Sequence, residues 1–134
     1  HILPKTNTLS AGEVGCHEFV RHKLQHCHTT QQKNNCIDII NKIDQLAEKS
    51  AAKSFALIPK AQQRQLLEDI ENNIGLDNEE QGQFMFLKAL IVFGYFTSEI
   101  GASQALSYQA VPGGFIGSIA ANSATKSWGS LAYY

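Results

Sequence analysis

The stretch CHEFVRHKLQHCH, residues 16–28, holds two cysteines and four histidines, and Cys36 follows shortly after. Thiolate and imidazole are the usual ligands of zinc and related ions. His22 and His26 are four apart, so on a helix they share a face and could share a metal, with Cys16, Cys27 and Cys36 as soft ligands. The pattern weighs against this. Cys16, Val20, Leu24 and Cys27 repeat at helical spacing as one apolar stripe, where a thiol acts as a small hydrophobe. The histidines fall mostly off that stripe, on the solvated side. No closed tetrahedral spacing is present, and no metal ligand is assigned. There is no C-x-x-C, which argues against thioredoxin-like chemistry, a zinc ribbon and covalent haem attachment. Cys27 and Cys36 flank a turn and form a candidate disulfide if the compartment is oxidising; it would close a loop of about ten residues. Cys16 lies about 16 Å along a helix axis from Cys27, too far to pair within that helix.

The carboxylates offer less. Asp77, Glu79 and Glu80 read as charges at a helix start. Glu99, among apolar neighbours in YFTSEIG, reads as a buried, hydrogen-bonded acid. There is no G-x-S-x-G, no Walker loop and no G-x-G-x-x-G, and no nucleophile–base pair stands out. No catalytic or cofactor-binding residue is therefore expected in this chain.

These residues need elements to carry them. Residues 1–10 read as an extended arm. Ser10 and Glu13 form a capping box that opens a first helix, about Ala11 to His28. Thr29 with Gln32 caps a second, carrying Cys36, Ile39, Ile40, Ile43, Leu46 and Ala47 and ending near Ser50. A third follows Pro59, carries Leu66, Leu67, Ile70 and Ile74, and stops at Gly75. A fourth starts near Asn78 and is apolar nearly all round from Phe84 to Phe96, the pattern of a helix buried on every side, of which three amphipathic neighbours can surround only part. The expected fold is all-α: a small bundle of about four helices (11–101), an extended N-terminal arm and a long irregular C-terminal tail (102–134), in a single domain.

The totals fit a folded globule: 134 residues, 43% hydrophobic and 17% charged, with net charge −1. That balance gives no field for nucleic acid. No apolar run reaches the roughly 20 residues that span a bilayer. The opening HILPKTNT has neither the charged nor the apolar region of a leader. The tail is the anomaly. From Ala110 to Tyr134 its one charge is Lys126, with Phe115, Trp128, Tyr133 and Tyr134 among Gly, Ser and Ala. Such a segment either folds back on the fourth helix or lies against another protein.

Both ends of the chain resemble one family. Gly94-Tyr95-Phe96-Thr97-Ser98-Glu99-Ile100-Gly101-Ala102, then Leu106, Tyr108, Val111-Pro112-Gly113, Phe115 and Gly117, is similar to the C-terminal signature of the gluconate 2-dehydrogenase subunit 3 (gamma, or small subunit) family. This family is related to the small subunits of FAD-dependent glucose and fructose dehydrogenases. Pro4, Thr6, Thr8, Gly12 and Val14 match its opening. Asn7 and Leu9 stand where the family usually has Asp and Pro, and Ser118-Ile119-Ala120 replaces a frequent C-x-P. The resemblance implies a non-catalytic subunit. Its partner would be a glucose–methanol–choline-type flavoprotein that holds FAD and oxidises a sugar or sugar acid. A c-type cytochrome in a third subunit would take the electrons through haem c. It also implies a periplasmic location, peripheral to the inner membrane through partners, and a role in twin-arginine export of the flavoprotein. Tyr95, Phe96, Tyr108, Phe115 and Trp128 are expected as aromatic anchors on the partner, with Pro112 and Gly113 turning the tail. The alternatives are a stand-alone helical metal-binding or redox-sensing protein built on the Cys/His-rich helix, and a self-sufficient monomer of structural or binding type.

Overall fold

The computed structural model describes residues 1–109, 111, 113–114 and 117–128. Four α-helices account for most of them: α1 (Cys16–His26), α2 (Thr30–Ala51), α3 (Lys60–Glu71) and α4 (Asn78–Phe96). No strand occurs among the described residues, only an isolated bridge between Ser107 and Trp128. The expected all-α bundle with an extended arm and an irregular tail is the fold observed.

The helix starts follow local chemistry. Thr29 and Asp77 each accept an N3 backbone N–H, while Gln32 and Glu80 reach back to the cap N–H, so both boxes close. The Ser10–Glu13 box also closes: Glu13 Oε2 accepts from the Ser10 N–H at 2.8 Å, and Ser10 Oγ accepts from the Glu13 N–H at 3.3 Å. It caps a single turn, however. Gly15 sits at φ 76, a left-handed conformation that ends that turn, and α1 starts only at Cys16. The expected start at Ala11 is corrected for this reason. The third helix is also shorter than expected. It ends at Glu71, and Asn73 takes the left-handed φ of 60 before Gly75 is reached.

Two apolar clusters hold the bundle. Ile39 and Ile43 of α2, Ile70 of α3 and Phe84 of α4 form the first, with Ile2 and Leu87 packed against it. Ala11, Cys16 and Tyr95 form the second, with Leu3, Ile91, Phe96 and Ala105. Leu87 and Ile91 are one turn apart on α4, and Ile2 and Leu3 are adjacent on the arm. The arm and α4 thus tie the two clusters together. Ile39 and Ile70, essentially fully buried, each contribute about 1.5–3 kcal/mol by leaving water. Partly buried ion pairs join the helices at their flanks, Lys42 to Glu80 at 2.5 Å and Lys88 to Glu71 at 2.6 Å.

Helix α4 is not enclosed. Only Phe84, Gly94 and Tyr95 are buried along it, and Met85 is half exposed. The neighbouring helices cover only part of this apolar sequence, which keeps much of its surface at the edge of the bundle.

Candidate partner interface

The GYFTSEIG segment forms the junction between arm, bundle and tail. At Gly94 a Cβ would come within 2.5 Å of the Phe19 ring, so glycine is what lets α1 lie close to α4. The Tyr95 side chain turns inward. Its hydroxyl donates to the Leu9 carbonyl at 2.9 Å and lies 2.8 Å from Thr8 Oγ1, fastening the arm to the end of α4. Ser98 Oγ donates to the Tyr95 carbonyl at 2.6 Å and accepts from the Gly101 N–H at 3.1 Å. Gly101 starts a π-helical turn, Gly101–Ala105, and a Cβ there would overlap the Tyr95 carbonyl. The chain then leaves the bundle. Ser107 receives the returning tail, its N–H donating to Ser127 O at 2.8 Å and its hydroxyl to Lys126 O at 2.9 Å. The ammonium of Lys126 caps the Gln104 carbonyl.

This geometry changes the expected roles. Tyr95 is only 4% exposed, so its side chain clamps the arm inside the chain instead of standing out on the surface. Phe96 is half-buried, edge-on to Tyr95 with ring centroids 5.2 Å apart, inside the second cluster. Tyr108 and Trp128 are 63% and 54% exposed, and Gly113 is exposed. Pro112 and Phe115 lie outside the described residues. Glu99 is exposed, so the expected buried acid is corrected. The helix ends at Phe96, and the following turn carries the Glu99 side chain outward while its carbonyl accepts Ser103 Oγ at 2.5 Å.

The cysteines are dispersed. Cys16 and Cys36 face the core, Cys27 is exposed, and all three are free thiols. The expected Cys27–Cys36 bridge is therefore not formed, because the two residues point into different environments. Burial pushes the Cys16 and Cys36 thiols up from their ordinary value, which keeps them protonated and unreactive. His17, His22 and His26 are exposed as expected, whereas His28 is half-buried, with Nδ1 3.3 Å from Gln32 Oε1 and its ring edge-on to Phe86. Among the described residues no three of His, Cys, Asp or Glu converge to hold a metal.

One surface feature went unread in the sequence. A groove of about 690 Å³ runs between the arm, α1, α2 and α4, with Val20, Leu24, Ile37, Ile40, Leu87 and Ile91 along it and His17, Arg21, Gln25 and Lys33 beside them. An adjoining cavity of about 430 Å³ lies on the α3 side, with His1, Ile2, Ile40, Leu87 and Ile91 shared between the two. Ile37 and Ile40 are 46% and 53% exposed. The sequence signal was present: two isoleucines at i, i+3 form a second stripe on α2 beside Cys36, Ile39 and Ile43. The expectation had grouped Ile40 with the other apolar residues of the second helix and had not singled out Ile37.

Fold and site together define a small all-α protein. Its most distinctive motif organises its own backbone, and its apolar surface exceeds what its four helices cover. The chain belongs to the gluconate 2-dehydrogenase subunit 3 family, whose model matches residues 1–113. No curated protein and no solved structure matches it significantly. The matched stretch contains the arm, the four helices and the Tyr95 clamp, and it stops before Phe115 and Trp128. The family is that of a small subunit of a dehydrogenase complex. No helix among the described residues is long and apolar enough to cross a membrane.

Proposed function

We propose that this chain is the non-catalytic small subunit of a periplasmic FAD-dependent sugar or sugar-acid dehydrogenase, seated against the flavoprotein subunit through the α1–α2–α4 groove and the exposed aromatics of the tail. The observation that carries this reading is the open groove. Two isoleucines stand half in water on a helix whose other face already fills a core, and covering them is favourable by about 25 cal/mol per Å². A stable subunit contact is apolar at its centre with a polar rim, and the groove combines an apolar floor with nearby Arg21, Gln25 and Lys33. Tyr108 and Trp128 are the residue types that dominate such contacts. The partner holds FAD and the substrate site, and a cytochrome subunit with haem c takes the electrons. The small subunit stabilises the flavoprotein and accompanies it through twin-arginine export.

Co-expression with a glucose–methanol–choline-type flavoprotein subunit of such a dehydrogenase tests this. The two chains are expected to co-purify at one to one. Ile37→Asp combined with Ile40→Asp should abolish co-purification while leaving the isolated chain's helical content intact, because neither side chain is in the core. Failure of the wild-type pair to associate, with both chains folded, would overturn the proposal.

A further inference from the structure

Helix α1 presents a second feature that the subunit reading does not use. His22 and His26 are exposed on its outer side. Their ring centroids are 4.6 Å apart, with the planes tilted by 47°. An imidazole nitrogen binds zinc at about 2.0–2.1 Å, which puts the ring centre about 3.2 Å from the metal. Two such rings at ligand angles of about 90–109° have centres roughly 4.5–5.2 Å apart. The separation found on α1 falls within that range.

The neighbouring charges permit a cation there. Arg21 is engaged by the Glu18 carboxylate, which also lies 3.6 Å from His17. The Lys23 ammonium lies over the Phe19 ring, 5.9 Å from its centroid. His26 is in the last turn of α1, where the negative end of the helix dipole favours positive charge. We propose that His22 and His26 form a two-imidazole chelate for a late first-row divalent cation such as Zn²⁺ or Ni²⁺, with water completing the coordination. The site is open and bidentate. It differs from a closed Cys/His centre, whose thiols this fold directs elsewhere, and it requires no partner subunit.

Calorimetric titration of the untagged full chain with Zn²⁺, and separately with Ni²⁺, tests this. One saturable site is expected. Losing a group that merely orients a ligand weakens a metal site about 10–100-fold, so His22→Ala and His26→Ala should each weaken binding by at least about 10-fold. His17→Ala should leave it unchanged. All three side chains are exposed, and circular dichroism verifies that the variants keep their helices. Titration with Co²⁺ gives a second readout: an absorption spectrum lacking thiolate-to-metal charge transfer supports imidazole ligands alone. A thiolate band that disappears in Cys27→Ser, or wild-type affinity in the His22→Ala/His26→Ala double variant, would overturn the proposal.

Discussion

At the scale of single residues, the fold depends most visibly on Tyr95. Its hydroxyl is buried between Thr8 and Leu9, 2.8 and 2.9 Å away, so the phenol holds the arm against the end of α4. Tyr95→Phe keeps the ring but removes the hydroxyl that bonds Leu9 and Thr8, and a typical intramolecular hydrogen bond contributes about 0.5–1.5 kcal/mol. We expect a matching drop in unfolding free energy by urea denaturation, together with faster hydrogen exchange through residues 3–11. Gly101→Ala should do more. Its Cβ would overlap backbone, which cannot move as a side-chain tip can, so the cost lies well above the ~1 kcal/mol of an average substitution. The motif that marked the family was conspicuous in the sequence, but the direction of its aromatic was not. Amphipathic helices reveal their inner face through their polar face, and α4 from Phe84 to Phe96 has only Lys88 to set its rotation. Tyr95 therefore looked as available outside as inside.

At the scale of elements, the caps were legible and the breaks were less so. Thr29 and Gln32 placed the start of α2 because a capping box is a local device, settled within four residues, and the acids Asp77, Glu79 and Glu80 placed that of α4 as charges favoured at a helix N-terminus. The Ser10–Glu13 box was read with equal ease and led one turn too far, since whether a helix continues through Gly15 is decided by packing beyond the box. The Glu13 carboxylate is brought down to about 2 from its ordinary 4.5, first by the Ser10 N–H, then by the Ser10 hydroxyl and Lys5. A carboxylate lowered in the folded state stabilises it above the ordinary value, and that contribution is lost as pH falls from 4.5 toward 2. Glu80 is lowered likewise, first by Lys42 and then by the Asp77 N–H, and loses its contribution in the acid range below 4.5. Carboxyl-detected NMR titration should find Glu13 as the last glutamate to protonate. Glu13→Gln should flatten the acid dependence of amide exchange around Ser10 while leaving that around Asp77 unchanged. Asp77→Ala removes the acceptor of two α4 N–H groups, and a lost cap costs about 0.5–2 kcal/mol.

At the scale of the whole molecule, the question is what the tail does for the bundle. The expectation that four helices cannot hide all their apolar surface was legible in composition and in the length of the uncharged C-terminal run. The groove itself was not, because it depends on how α1 and α2 sit on α4: both pack mainly against α4 and less against each other, which leaves a furrow with Ile37 and Ile40 on one bank. A tail that served to close this furrow would be part of the core. The described stretch 117–128 is instead exposed throughout and is fastened through Ser107 and Gln104, beyond the helices and outside both apolar clusters. Deleting residues 109–134 should therefore leave the cooperative thermal unfolding of the four helices within a few degrees of the full chain, as expected when less than about 1 kcal/mol is lost from a domain of this size. The same deletion should weaken capture of the flavoprotein, because it removes Trp128 and the returning segment that Ser107 holds next to Tyr108. Collapse of the bundle on deletion, followed by circular dichroism during heating, would mean that the tail completes the core, and the apolar surplus on which the subunit reading rests would then belong to this chain alone.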